Sequence, residues 1–333
     1  MQSSFFREKL WYRLLSDHCF KDQSIDWVRT GTGDYVVTTS RPRSAKPWAN
    51  LFRQWNSATN FYSLDYGCVV GTNEPSKYPS LAEAATSKRV DRVTLDFLED
   101  KSAAQLKLEF DASGFYTTLL PKATHWWLPI ETSYTEYFAK RSSRLQNTVR
   151  RAVKKLEHDF KVEIEVVTAP GVGLDRAISA YEEVYANSWK SRELYPIFLP
   201  DLIRLCADQD KLALSVLRLN DRPVASQFWI VDNAYAYIYK LAYLNEFANL
   251  SVGTVLTNHM FRWAFDRVKV IDYGVGNEGY KSDWMTESRT STRLSAINLS
   301  TAKGKLLALF KQLKSWRKGI GRDGKTHTQI SER

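Results

Sequence analysis

A chain of 333 residues with 44% hydrophobic and 13% aromatic content is long enough for two packed domains and too apolar to be a disordered polymer. No run approaches the roughly 20 apolar residues of a membrane span, and Met1–Leu10 lacks the apolar centre of a signal peptide, so a cytoplasmic location is expected. Three cysteines without a CxxC pair (Cys19, Cys68, Cys206) argue against a disulfide framework, and five scattered histidines offer no metal site.

In chain order, the pattern predicts a helix over Ser4–Leu15 and a strand pair over Trp27–Thr39 around a turn at Gly31–Asp34. A basic, proline-containing connection, Arg41–Trp55, leads into a short helix. Phe61–Val70 is expected as a strand, Pro79–Lys88 as a helix, Arg92–Phe97 as a strand and Ser102–Ala112 as a helix. Phe115–Leu120 and His125–Leu128 follow as strands, so this half alternates strand and helix in the α/β manner.

The net charge of +10 is concentrated. Lys140–Lys155 carries seven basic residues and no acid, while Leu145, Val149, Ala152 and Leu156 recur at helical spacing. This predicts a basic amphipathic helix whose charged face, including Arg150 and Arg151, is either simply solvated or attracts a phosphorylated ligand. Val162–Thr168 then reads as a strand, Gly171–Gly173 as a turn, Leu174–Lys190 and Phe198–Asp208 as helices, and Lys211–Leu219 as a strand.

The stretch Pro223–Trp284 organises the rest. Val224–Val231 and Ala234–Tyr243, separated by Asp232-Asn233, are expected as an antiparallel hairpin. A polar loop leads through Ser251, Val252, Gly253 and Thr254 into a helix over Val255–Asp266, with Ser251 as N-cap. A helix start offers unpaired N–H groups and a partial positive charge, a site for a phosphate, although small residues there also serve merely for capping and close packing. Val268–Tyr273 is expected as a buried strand, ending in Gly274-Val275-Gly276 and a flexible loop that carries Asp272, Glu278, Tyr280 and Lys281. Ser295–Leu299 is expected as a strand and Gly304–Gly319 as a helix. That helix places Leu306, Phe310, Leu313 and Trp316 on one face, suited first to docking on its own domain and second to an anionic membrane surface.

The segments RSSRLQNTVRRAVKKLE, ANSWK, RPVASQFWIV, YIYKLAY, FANLSVGTVL and IDYGVGNEGYKSDW together resemble the Fem-related branch of the GNAT acyltransferases, which includes proteins associated with cellulose and exopolysaccharide biosynthesis. The resemblance covers roughly Tyr134–Ser300. It implies tandem GNAT-like α/β domains, each a mixed, mostly antiparallel sheet flanked by helices. Residues 1–130 would form an N-terminal domain, 131–302 the acyltransferase domain, and 303–333 a basic C-terminal helix and tail. The implied activity is N-acyl transfer from acyl-CoA, with acetyl-CoA as donor and no metal, to a small-molecule amine or saccharide acceptor such as an amino sugar of envelope or exopolysaccharide biosynthesis. Leu241, Ala242, Ser251, Val252, Gly253 and Thr254 would hold the donor. The general pyrophosphate signature of the family is departed from, because Ala248 and Ser251 stand where Gln or Arg and the first Gly are expected.

Acyl transfer from a thioester needs a deprotonated amine, stabilisation of an oxyanion and an acid for the departing thiolate. No Ser-His-Asp or Cys-His constellation stands out, so direct transfer is expected. Glu278 is the expected base and Tyr280 the acid. Asp272 is the second carboxylate, and Lys240 or Lys281 orients an anionic group. Trp189 and Lys190 are expected at the acceptor pocket. Gln227, inside an apolar strand, is either a structural hydrogen bonder or a substrate contact. Other readings are transfer from aminoacyl-tRNA, as in Fem-type relatives, transfer from acyl-carrier protein, and a non-catalytic module binding nucleic acid or a phosphorylated polymer. The last lacks any recognisable nucleic-acid motif.

Overall fold

The computed structural model describes residues 4–31, 34–40, 51–69, 78–276 and 278–323. The chain forms two compact units: residues 1–122 together with 291–333, and residues 123–290. The expected turn residues Thr32 and Gly33, the connection Arg41–Asn50 and Asn277 lie outside the described residues.

In the first unit, helix α1 (Lys9–His18) packs its Trp11 edge-on against Phe6, with ring centroids 5.0 Å apart and both rings fully buried. Strands β1 (Ile25–Arg29) and β2 (Tyr35–Thr39) pair antiparallel, and β2 pairs antiparallel with β3 (Gln54–Ser57), a strand where the connection Arg41–Trp55 was expected to lead into a short helix. Helix α2 (Leu81–Ser87), started by a capping box between Ser80 and Glu83, returns the chain so that β4 (Arg92–Leu98) lies parallel to β3. Helix α3 (Asp100–Ala112) and strand β5 (Phe115–Pro129) follow, the two strands expected there being one continuous strand. Of Phe61–Val70, expected as a strand, Val70 lies outside the described residues and Phe61–Val69 is turns and irregular chain with one isolated bridge from Val69 to Tyr35. The Asn60 side chain accepts from the Tyr62 amide at 2.9 Å and the Asp65 carboxylate from the Tyr66 amide at 2.8 Å. These local bonds outcompete a ladder, while Tyr62 and Tyr66 anchor the turns in the core.

The second unit begins with α4 (Tyr134–Ala139), and the basic helix expected over Lys140–Lys155 follows it as α5 (Ser143–Asp159), with Leu145, Val149, Ala152 and Leu156 buried. Ser142 caps α5 by accepting from the Leu145 amide at 3.2 Å. Then come β6 (Val162–Val167), α6 (Val172–Ala186), α7 (Phe198–Asp208), β7 (Leu212–Leu219), β8 (Arg222–Asp232) and β9 (Tyr235–Tyr243), the last three forming an antiparallel ladder with β6. Helix α8 (Val252–Phe265) crosses back so that β10 (Val270–Val275) runs parallel to β9, and β10 pairs on its other side with His125–Pro129 of β5. The expected flexible loop instead contains a short helix, α9 (Gly279–Trp284), before β11 (Glu287–Asn298) and α10 (Ala302–Asp323). Trp229, Phe261 and Trp284 meet in the core, with Phe261 4.7 Å from Trp284 and 5.9 Å from Trp229.

Each unit is thus a mixed, mostly antiparallel sheet with helices on it and one parallel pair joined through a helix: β3 with β4, and β9 with β10. Among the described residues no helix is long and apolar enough to cross a membrane.

The first unit is completed by the chain that returns at Ser291. Thr292–Ile297 of β11 pairs antiparallel with β4, and Asn298, fully buried, donates to the Val90 carbonyl at 3.0 Å and accepts from the Ser300 amide at 2.9 Å. Thr301 donates to Asp91 at 2.7 Å, and Asp91 also accepts from the Arg53 amide at 2.8 Å. Asn298→Ala leaves the buried Val90 carbonyl unpaired and is expected to lower the unfolding free energy by about 1–3 kcal/mol in chemical denaturation. An unchanged midpoint would remove this network from the account.

Candidate functional site

Strands β9 and β10 pair only over Tyr235–Tyr237 and Val270–Asp272. Beyond that point β10 bulges: Gly274 takes φ +68, which favours glycine, and its amide donates to the Asp272 carboxylate at 2.6 Å. Past the bulge, β10 is held on its other side, where the Gly276 amide donates to the Thr124 carbonyl and the Trp126 indole to the Gly276 carbonyl, each at 3.0 Å. β9 meanwhile runs on to Tyr243 beside β8. The two parallel strands therefore part, and the stretch of β9 containing Leu241 and Ala242 borders the gap.

Helix α8 starts where β9 and its connecting turn end. Ser251 sits at the N-cap position but adopts a left-handed backbone (φ 55, ψ 34) and its side chain makes no capping bond, unlike the expectation. N-caps that bond through the side chain hold an extended backbone, and this one does not. The amides of Val252, Gly253 and Thr254 thus start a 14-residue helix without a cap bond from Ser251, and its positive end favours an anion. Gly253 lies directly against Tyr243, where a Cβ would come within 2.8 Å of the ring. Tyr243 in turn packs on Trp189 at 4.2 Å, positioned by the bridge from Ser188 to Leu244.

Ionisable groups gather beside this gap. The Lys240 ammonium is 2.7 Å from the Glu193 carboxylate, and the Tyr185 hydroxyl donates to the same carboxylate at 2.5 Å. Lys281 is only 5% exposed. Its ammonium donates to the Val275 carbonyl at 2.5 Å and lies 3.1 Å from Glu278. Burial, with Lys240 adding to it and Glu193 opposing it, pushes the Lys190 ammonium down to about 8; Lys281 and Glu278 also act on it, with opposite signs. Burial alone would raise Glu278, but hydrogen bonding to its own amide, Lys281 and Lys190 outweigh it and hold the carboxyl below its ordinary range. Burial, Glu278 and Tyr243 push the Tyr280 hydroxyl up to about 12, so it stays protonated at neutral pH.

The expected residues Trp189, Lys190, Lys240, Glu278, Tyr280 and Lys281 are therefore brought together beside Ser251–Thr254. Asp272 is 97% buried, its carboxylate closing the bulge and 3.8 Å from Arg289. Gln227 faces the core: its amide donates to Thr257 at 2.7 Å and accepts from the Trp229 indole at 2.8 Å. Arg150 and Arg151 are exposed on α5, bonded locally to Asn147. Arg150 lines a separate cavity of about 620 Å³ between α4, α5, β6 and α8. Sequence reasoning missed Tyr185, Glu193 and Tyr243. A lone lysine on an apolar strand, Lys240, requires a carboxylate partner, but nothing in the spacing identifies Glu193 as that partner. Among the described residues no group of three or more His, Cys, Asp or Glu is arranged to hold a metal.

Gln227→Leu strands the Trp229 indole N–H in the core, while the Thr257 hydroxyl keeps its bond to the Gly253 carbonyl at 2.9 Å. It is expected to cost about 1–3 kcal/mol in equilibrium unfolding. A variant of unchanged stability would contradict the structural role.

Residues 143–282 match the family described as Acetyltransferase (GNAT) domain. FemX resembles the chain with a TM-score of 0.62 at 10% identity, over 89% of this chain and 92% of that one. The C-terminal domain of a candidate lysylphosphatidylglycerol synthetase from Agrobacterium fabrum gives a TM-score of 0.53 at 13% identity, covering 87% of each chain. L-PGS from Bacillus licheniformis gives 0.51 at 12%, over 90% of this chain and 95% of that one. At such identities the likeness is one of fold. No curated protein matches the sequence. The architecture is a tandem GNAT-like α/β fold.

Proposed function

We propose that this chain is an N-acyltransferase that moves an acyl group directly from an acyl-CoA, acetyl-CoA in the simplest case, to an amine. The observation that carries this reading is the parting of β9 and β10 beside the uncapped start of α8, with Lys190 alongside. An extended thioester arm with amide groups fits along the edge of β9 at Leu241 and Ala242 as an added strand, and its phosphates meet the amides of Val252, Gly253 and Thr254.

In the proposed step the acceptor nitrogen attacks the thioester carbonyl carbon, a C–N bond forms and the C–S bond breaks. Lys190, with a proton affinity near neutral pH, accepts the proton of the amine in its uncharged form. Tyr280, protonated at neutral pH, donates its proton to the departing thiolate. Glu278 is a weak base in this setting because Lys281 and Lys190 stabilise its charge, and it serves better to hold a cationic acceptor. An amino sugar of envelope or exopolysaccharide biosynthesis is the acceptor class suggested by the motif resemblance.

A second reading, transfer from aminoacyl-tRNA, is supported by α5. Arg150, Arg151, Lys154 and Lys155 are exposed there with no carboxylate within ion-pair range among the described residues. The likeness to FemX and L-PGS is compatible with it. Calorimetry separates the two: the first reading expects CoA to bind and the second expects charged tRNA to bind in a salt-dependent way with CoA silent.

Release of free thiol from acetyl-CoA in the presence of amino sugars tests the mechanism. Because the uncharged form of Lys190 is the active one, the rate is expected to rise with pH through about 8. Lys190→Met should lower the rate roughly 10²–10⁴-fold and flatten that limb. Glu278→Gln removes a charge that raises the Lys190 pKa, so its limb should move to lower pH. A Lys190→Met variant with full activity and an unaltered profile would refute the assignment.

A further inference from the structure

Helix α10 carries its hydrophobic residues on the wrong side for a docked helix. The face turned to the first unit is formed by Gly304, whose Cβ-less backbone lies against the Asn298 carbonyl, by Ala308, 5% exposed, and by Lys311. Lys311 donates to the Thr118 hydroxyl at 2.6 Å and lies 5.7 Å from the Tyr116 ring, and burial lowers its pKa. Leu306, Leu309, Phe310 and Leu313, which recur at i, i+3, i+4 and i+7, point away and remain 47%, 52%, 61% and 47% exposed. The docking expected for Leu306, Phe310 and Leu313 is thus reversed: small residues and a lysine lie inward, leucines and a phenylalanine outward.

A continuous apolar stripe of this kind on one helix marks a surface that something covers. Charge selects the occupant. Lys303 and Lys305 flank the stripe and are exposed, and residues 302–333 contain nine Lys or Arg against two Asp or Glu, a net +7 of the chain's +10. We propose that α10 binds the surface of an acidic lipid bilayer, lying in its plane with Leu306, Leu309, Phe310 and Leu313 sunk among the acyl chains and its lysines on the anionic headgroups. An apolar stripe edged with cations is the pattern that binds such an interface, and each basic residue near an acidic leaflet adds to the attraction.

Co-sedimentation of the full chain with phosphatidylcholine vesicles, with and without phosphatidylglycerol, tests this. Binding is expected to the phosphatidylglycerol vesicles, to weaken as salt is raised, and to be lost on phosphatidylcholine alone. The double variant Leu309→Ser, Phe310→Ser replaces exposed side chains, so it should keep its unfolding midpoint while partitioning at least about tenfold less, each lost apolar side chain removing buried area from the membrane. If that variant unfolds more easily, Lys303→Glu with Lys305→Glu takes its place and is expected to lose binding likewise. No binding of the unaltered chain to acidic vesicles overturns the proposal, as does equal binding by both variants. So does a dimer of the unaltered chain that the serine variant converts to monomer, which would assign the stripe to a second copy.

Discussion

The arrangement of the candidate site depends on one hydrogen bond, from the Gly274 amide to the Asp272 carboxylate. It closes the bulge that ends the parallel pairing of β9 and β10 after three residue pairs. Had the pairing continued, β10 would have filled the edge of β9 that borders Leu241 and Ala242. The bulge turns β10 toward His125 and Trp126 instead, where Gly276 is held from two directions. Gly276, at φ +143, then delivers the chain to Glu278 and the short helix α9. A buried carboxylate is expensive unless bonded, so Asp272 is both the cost and the means of opening the gap.

Around the gap, the charges balance by pairs. Lys240 is matched by Glu193 and Lys281 by Glu278, and each lysine is largely withdrawn from water. Lys190 is the cation of this group whose surroundings push its proton off: burial and Lys240 act together, and the carboxylates only partly offset them. An amine poised near neutral pH beside an uncapped helix start is the combination on which the proposed acyl transfer rests. Gly253 supports it from below, since the close approach of α8 to Tyr243 sets the position of Trp189.

Much of this was legible in the sequence, for physical reasons. Val224–Tyr243 is rich in β-branched and aromatic residues and turns at Asp232-Asn233, so β8 and β9 follow from local propensity, and the small residues before Val255 announce the start of α8. The loaded segment after β10 pointed to Glu278, Tyr280 and Lys281, because ionisable groups on glycine-rich backbone rarely serve packing. What was not legible depended on contacts distant in sequence. Glu193 meets Lys240 across 47 residues, and the Ser188–Leu244 bridge that places Trp189 has no local signal. The turns at Phe61–Val69 were missed because Asn60 and Asp65 spend their side chains on the backbone, a competition that the aromatic content conceals. α10 was read by its large residues, whereas its docking is decided by the close approach that only Gly304 and Ala308 allow.

Amide hydrogen exchange with and without CoA tests the central claim most directly, since it reads the gap and the helix start independently of any acceptor. Slowed exchange is predicted at Leu241–Tyr243 on the edge of β9 and at Val252–Thr254 at the start of α8, with the first unit unaffected. Protection confined to other segments, such as the cavity lined by Arg150, or no protection at saturating CoA, would contradict the account.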